Sequence, residues 1–343
     1  MTVKQAVGID VAKKELVVSI GRMSHDTGVD IYAHKTFSNH ARGFMDLVAW
    51  VDRMTMRGVQ TRYVMEATGV YHECVAYYLS GHGHQLSIVL PNKISNYFRT
   101  LDVKTITDKT ASQAICQFGL ERKLDDWQRP KKVFRELRQL TRERDQLITD
   151  RTVLKNQLHA EMAEAFPNQG SIRRAAERIQ LINGQELEIR AELAGIIKRD
   201  AELARKIGLI TTIPGVGRLT AVTVLAETNG FELISNKKQL VGYSGLDVRL
   251  KDSGTSVKGK PRISKRGNRH LRKAMHMPAL AAIRHNREHK MLFVRLVSGH
   301  GIKMKSVVAV QRKILELIYT IFKTDKPFDR DYVRIEVPEA LNG

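Results

Sequence analysis

Val7-Gly8-Ile9-Asp10-Val11-Ala12 is a short apolar run that ends on an acid. A strand flanked by apolar residues does not place a carboxylate at its end for packing, and Gly8 admits the close approach of another backbone. A second run of this kind, Val64-Met65-Glu66-Ala67-Thr68-Gly69, ends on Glu66. Ala6 to Asp10, Glu15 to Gly21 and the alternating Val29 to Phe37 read as three strands, and Arg62–Glu66 reads as a fourth. Asn39 is placed to cap a helix bearing Phe44, Leu47, Val48 and Val51 at helical spacing. A helix over about Tyr71 to Leu79, a fifth strand over Gln85–Leu90 closed by Pro91, and helices over Asn92–Arg99 and Thr107–Arg122 follow. This is the layer order of an α/β domain, in which ligands gather at the carboxyl ends of strands.

In that order the first and fourth strands can be neighbours, which brings Asp10 and Glu66 together. Adjacent carboxylates repel unless a cation lies between them, and hard oxygen ligands suit Mg²⁺. Two-metal phosphodiester chemistry needs a further acid. The candidate is Asp108, in Thr107-Asp108-Lys109-Thr110-Ala111. The plainer role for Asp108 is that of a helix N-cap.

Lysine and arginine total 57 against 36 acidic residues, a formal net charge of +21. At a pI near 10 the natural partner is a polyanion, because each neutralised phosphate releases condensed counterions. A ribosome-like or membrane-surface protein would share that charge. No apolar run reaches the ~20 residues that span a bilayer, and the first residues lack a signal-peptide h-region. Cys74 and Cys116 form neither a CxxC pair nor a disulfide framework. That fits a reducing cytoplasm and disfavours a structural zinc.

From about Pro130 to Ala165 the pattern becomes a long charged helix. Val133, Leu137, Leu140, Arg144, Leu147, Arg151, Leu154 and Leu158 follow a four-three spacing, a coiled-coil seam whose two arginines call for salt bridges. Phe166-Pro167 breaks the helix, and residues 171–207 can fold back as a helical hairpin. The last third, about Ile210 to Pro327, is helical with one polar interruption. Between Val248 and Lys273 ten lysines and arginines face a single acid, Asp252, and Gly254, Gly259, Pro261 and Gly267 make the first part of this window a loop.

Ser253 stands beside a glycine in that cationic loop, positioned to meet a phosphodiester. A serine hydroxyl is a weak nucleophile unless a base or metal activates it and cations stabilise the charge on phosphorus. Lys258, Lys260, Arg262, Lys265 and Arg266 can supply those cations, and Arg269 extends the nucleic-acid-binding set. The plainer role for such a serine is phosphate contact. Ile213-Pro214-Gly215-Val216-Gly217 matches the turn of a helix-hairpin-helix, in which Gly215 and Gly217 would let backbone N–H groups face a sugar-phosphate backbone. An ordinary tight helical turn is the alternative. His285 and His289 lie one helical turn apart among basic residues, which disfavours a metal. Tyr71, Tyr243 and Tyr319 rank below Ser253 as nucleophiles because none sits in so basic a cluster.

Taken in order, GIDVAK at 8–13, MEATGVYH at 65–72, TDKTASQAICQFG at 107–119, IPGVG at 213–217, YSGLDVRLKDSGTSVKGKPRISKRGNRHLR at 243–272 and GIKMKSVVAVQRKILELIYTIF at 301–322 resemble the DEDD transposases of the IS110 insertion-sequence family, with its IS1111 branch. The resemblance spans nearly the whole chain, and the 243–272 stretch is its most specific part. It implies an RNase H-fold, RuvC-like α/β domain over 1–125, a coiled-coil helical hairpin over 126–207, a mainly α C-terminal transposase domain with helix-hairpin-helix and serine loop over 208–330, and a tail over 331–343. It also implies that Asp10, Glu66 and Asp108 hold Mg²⁺ and that Ser253 forms a phosphoserine link to cut DNA. An element-encoded bridge RNA, or seekRNA, would pair with donor and target DNA. The assembly would be a homodimer or homotetramer in the bacterial cytoplasm, with the coiled coil as a dimer device and a composite site between protomers.

The family's third motif carries two aspartates three positions apart, and here the second position is Ala111. Three carboxylates and water suffice, or Asp102 substitutes, or the chain is an inactivated variant. Two other functions share the charge and the acids: a metal-dependent Holliday-junction-type nuclease that leaves Ser253 uninvolved, and a non-catalytic RNA- or DNA-binding scaffold.

Overall fold

The computed structural model describes residues 2–329, apart from residues 68, 102, 104, 106, 233, 250, 251, 254–256 and 259–261. For residues 252, 253, 257 and 258 it describes the backbone. The chain divides into two compact units, residues 1–129 and residues 130 onward.

Unit 1 holds β1 (Thr2–Val11), β2 (Glu15–Ser24), β3 (Val29–Ser38), α1 (Ala41–Met54), β4 (Thr61–Glu66), α2 (Glu73–Gly81), β5 (Gln85–Val89), α3 (Pro91–Phe98) and α4 (Asp108–Glu121). The strands form one five-stranded mixed sheet in the order β3-β2-β1-β4-β5. β1 pairs antiparallel with β2 and parallel with β4, and β5 continues parallel to β4. This is the α/β layer order that the alternation of strands and helices in the sequence calls for.

Side-chain alternation along β1 decides what covers each face. Val7, Ile9 and Val11 share a core with Phe44, Leu47 and Val51 of α1 and Val75, Ala76 and Leu79 of α2. The residues between them are small, and Ala6 packs on Cys116 and Leu120 of α4. A Cβ at Gly8 would stand 2.3 Å from both the Cys116 nitrogen and the Ser112 oxygen, so only glycine admits this helix so close. Gly119 performs the same service from the helix side, against Val64 of β4. Because Ser112 and Cys116 meet Gly8 while Leu120 meets Ala6, α4 runs against β1. Its N-terminus therefore lies at the carboxyl ends of the strands.

Two details differ from the sequence expectation. Asn39 is not the cap of α1; His40 occupies that position without a side-chain hydrogen bond. The Asn39 carboxamide instead donates to the carbonyls of Ala12, at 2.8 Å, and Tyr71, at 3.1 Å, tying the turn after β1 to the loop after β4. Pro91 opens α3 rather than closing a strand, as its fixed φ and missing N–H permit at a first helical position.

Unit 2 begins with α5 (Lys132–Met162) and α6 (Gln169–Arg199), two 31-residue helices that form the expected antiparallel hairpin. The seam arginines find one acid: Arg144 and Arg151 approach Glu186 at 2.7 and 2.6 Å, and Arg190 reaches it at 2.7 Å from within α6. Burial by itself would raise the Glu186 carboxyl, but the three guanidiniums outweigh it and bring the pKa to about 2. The partner of the α5 seam is thus a helix of the same chain. Asp200 ends α6 and caps α7 (Ala201–Ile210), accepting from Leu203 N–H at 2.9 Å. Next come α8 (Arg218–Glu227) and α9 (Lys237–Ser244), then the two-residue strands β6 (Val248–Arg249), β7 (Asp252–Ser253), β8 (Val257–Lys258) and β9 (Arg262–Ile263). The unit ends with α10 (Arg269–Ala274), α11 (His276–His285), α12 (Arg287–His300) and α13 (Lys303–Thr324).

Leu137 of α5 and Ile189, Leu193, Ile196 and Ile197 of α6 share one core with α7, α8 and the Val307, Val310, Ile314 and Ile318 stripe of α13. The stretches read as 126–207 and 208–330 thus join in a single core, because the base of the hairpin supplies apolar residues to it. Residues 331–343 lie outside the described residues.

Candidate functional site

Asp10 is the penultimate residue of β1 and Glu66 the last of β4, and the last residues that pair those two strands with each other are Ile9 and Met65. They stand one step further along two adjacent parallel strands, on the face covered by α4. Asp108 is not a cap. Thr107 caps α4 through a reciprocal box with Thr110, leaving Asp108 exposed in the first turn, where the helix dipole favours an anion. Burial raises the Asp10 carboxyl above its ordinary range, the charges of Asp108 and then Glu66 raise it further, and a hydrogen bond from the Val11 backbone opposes them. The result is about 6.

The three acids feel one another, but they do not close into a cage. Among the described residues no group of three or more His, Cys, Asp or Glu side chains stands close enough to hold a metal ion. The chemistry of the three acids nevertheless fits a hard divalent cation, since the donors are carboxylate oxygens and Asp10 is already strained by negative neighbours. Position 111 lies one turn before Ile115 and two before Phe118, the α4 residues that pack with Val64 of β4. Helical periodicity puts Ala111 on that same row, toward the carboxyl end of β4 and Glu66. Asp102, the alternative fourth acid, lies outside the described residues.

The basic window is more ordered than a loop. β6 pairs antiparallel with β9, Val248 opposite Ile263, and β7 pairs antiparallel with β8, Ser253 opposite Val257. These nested ladders make an arm with Ser253 in its outer pair. Sequence reasoning missed it because two-residue strands carry no periodicity. At the neck, Lys265 N–H donates to Gly245 at 3.1 Å and Ser264 Oγ–H to Asp247 Oδ1 at 2.5 Å. A Cβ at Gly267, whose φ is +151°, would stand 2.4 Å from the Tyr243 carbonyl oxygen. Arg262, Lys265, Arg266 and Arg269 are exposed, Lys258 lies in β8, and Lys260 lies outside the described residues.

Gly215 and Gly217 join α7 to α8 but differ in use. At Gly215, with φ +91°, a Cβ would meet the Pro278 oxygen at 2.7 Å and the Ala282 nitrogen at 2.8 Å, so that glycine serves packing on α11. Gly217 caps α8 with open space around its Cβ position. His289 is buried with Nδ1 2.9 Å from Asn286 Oδ1, a core residue rather than a ligand. Tyr319 is buried, and its hydroxyl donates to Ile234 O at 3.3 Å.

A DEDD transposase family model matches residues 7–167, and the model of the Transposase IS116/IS110/IS902 family matches residues 208–293. Both matches are to transposases of the IS110/IS116 family. The chain is 28% identical to the pilin gene-inverting protein of Moraxella bovis over 95% of this chain and 98% of that protein. It is 24% identical to the transposase for insertion sequence element IS1111A of Coxiella burnetii, over 77% of this chain and 78% of that protein. T. thermophilus RuvC, solved in complex with a Holliday junction substrate, aligns over 33% of this chain and 90% of its own, with 8% identity and a TM-score of 0.27. No helix among the described residues is long and apolar enough to cross a membrane.

Proposed function

We propose that this protein is an RNA-guided DNA recombinase that moves an insertion sequence. The observation that carries the reading is the placement of Asp10 and Glu66 side by side at the ends of β1 and β4, with α4 bringing Asp108 to the same edge. Asp10, Glu66 and Asp108 would hold Mg²⁺, whose bound charge stabilises the negative charge developing on a scissile phosphate. One relative matched over 98% of its length is named for gene inversion and another, matched over 78%, for transposition, and both names support strand exchange rather than simple hydrolysis.

Ser253 acts as nucleophile. Its Oγ attacks phosphorus and gives up its proton to solvent, the bond from phosphorus to the deoxyribose oxygen breaks, and that oxygen takes up a proton to leave as a strand hydroxyl. The product is a phosphoserine ester that conserves the phosphodiester energy until a strand hydroxyl reverses the step. Exposed Arg262, Lys265, Arg266 and Arg269 grip the backbone of donor and target DNA, with Lys258 and Lys260 completing the set. Gly217 at the start of α8 offers backbone N–H groups to a phosphate, and the α7–turn–α8 pair works as a helix-hairpin-helix. A structured RNA encoded by the element supplies sequence recognition through base pairing. The working assembly is a homodimer or homotetramer.

Two measurements test this. RNA that copurifies with the protein is sequenced, and strand exchange is assayed on DNA complementary to its loops. The reaction is then quenched and digested, with a DNA-linked peptide containing Ser253 as the expected product. Free 5′-phosphate ends without an adduct would establish a nuclease instead.

A further inference from the structure

Glu227, the last residue of α8, is 2% exposed and touches three other elements. Arg142 of α5 donates to both of its carboxylate oxygens, from Nε at 2.7 Å and Nη2 at 2.8 Å. Asn268 Nδ2 donates to Oε2 at 2.6 Å, and the Tyr243 hydroxyl donates to the Glu227 backbone carbonyl at 2.9 Å. Tyr243 and Asn268 flank the arm that carries Ser253, one before it and one after. They are also bonded to each other, Asn268 N–H to the Tyr243 carbonyl at 2.7 Å. Both feet of the arm therefore rest on one residue, the second on its buried carboxylate and the first on its main-chain carbonyl, and that carboxylate is clamped to the long hairpin by a bidentate arginine.

We propose that Glu227 is the positioning residue of the serine arm and that Arg142 links the arm to α5. The proposal rests on the reading of Ser253 as nucleophile. A buried ion pair is a weak device for stability, since apolar residues of similar volume do as well or better. Its advantage is directional: three donors from α5, α9 and α10 can be satisfied together in one arrangement of those elements. The neck leaves little slack for another, because Gly267 packs on the Tyr243 carbonyl and Arg272 Nη1 holds the Ser244 carbonyl at 2.9 Å. A rigid neck reduces the conformations through which the serine must search before attack.

The test uses the full chain with its copurified RNA and a suicide DNA substrate, both as it stands and with Ala111→Asp. Ser253→Ala comes first. If that variant still cleaves DNA through a protein-linked intermediate, the nucleophile reading is wrong. Next come Glu227→Gln, which sets an amide N–H₂ against one of the donors, and Asn268→Asp, which keeps the α10 cap but removes the Nδ2 donor. Adduct formation at saturating DNA is expected to slow at least tenfold in both, while affinities for DNA and RNA stay within threefold. Tyr243→Phe should fall between them and the unaltered chain. Wild-type adduct rates in Glu227→Gln and Asn268→Asp, with Ser253→Ala inactive, would overturn the positioning role alone. So would rate and affinity falling together in step with a lowered Tm. If Glu227→Gln fails to fold, Asn268→Asp and Tyr243→Phe decide the matter by the same rate-against-affinity comparison.

Discussion

Asp10 and Glu66 sit at one level of two neighbouring parallel strands, a single residue beyond the Ile9–Met65 pair. Aligned residues of parallel strands point to the same face, so backbone pairing brings the two carboxylates together before any ligand arrives. Burial and the nearby negative charges make this an unfavourable arrangement in water alone, as the raised Asp10 carboxyl records.

The sign of that cost is testable. A carboxyl whose folded pKa is raised binds more protons folded than unfolded between about 4 and about 6, so stability falls as pH rises through that window. Asp10→Asn should raise Tm at pH 7.5 in the absence of divalent ions. Mg²⁺ should raise the Tm of the unaltered chain more at pH 7.5 than at pH 5, where Asp10 is largely protonated. Equal shifts at the two pH values would count against a cation between these acids.

Helical periodicity sets Ala111 on the α4 row of Ile115 and Phe118, which packs on Val64 of β4 two residues before Glu66. Ala111→Asp should add a fourth oxygen donor there, tighten divalent-ion binding and raise Mg²⁺-dependent strand transfer about tenfold or more, read on a gel of exchanged strands. Equal activity in the two forms would mean that three acids suffice.

Gly8→Ala should act on the same acids without touching them. Its Cβ would meet backbone atoms of Ser112 and Cys116 at 2.3 Å, and main chain cannot swing aside as a side chain can. Overpacking of this kind costs about 3 kcal/mol. The expected readout is a lowered Tm of unit 1, with divalent-ion binding weakened because Asp108 rides on the displaced helix. An unchanged Tm would show that α4 adjusts freely.

Glu186 provides a second pH signature, of opposite sign. Its folded pKa of about 2 lies below the unfolded value, so its contribution is present above about 4.5 and fades as pH falls toward 2. Glu186→Gln should lower the stability of unit 2 at pH 7 by on the order of 2–3 kcal/mol, since it leaves Arg144 and Arg151 poorly matched in the seam. The deficit should shrink in acid. Denaturant melts at pH 7 and pH 3 measure it.

Local pattern made part of this legible. Asp10 and Glu66 end apolar runs, and an acid at a strand end stands out in any sequence; the seam arginines announce an acid opposite them, and Glu186 answers. What stayed hidden are matches between distant positions. The partner of Gly8 is Cys116, the partner of Gly215 is Ala282, and neither separation leaves a periodic trace. Asn39 looked like a cap because a short polar residue before a helix usually is one, yet its carboxamide is committed to the carbonyls of Ala12 and Tyr71. Around Ser253 the pairing depends on backbone ladders of two residues each, too short for side-chain alternation to register.

The hairpin of α5 and α6 also sets a length. Helices of 31 residues extend about 46 Å at ~1.5 Å per residue. Only part of that length projects, because Leu137 near the start of α5 is already in the core. From Arg142 to the end of α5 at Met162 the helix advances about 30 Å at ~1.5 Å per residue, and that distance carries the turn with Phe166, 92% exposed, away from the core that roots Arg142 and Glu227. Along B-form DNA, at ~3.4 Å per base pair, such a reach corresponds to roughly 9 steps, just under one helical turn of duplex.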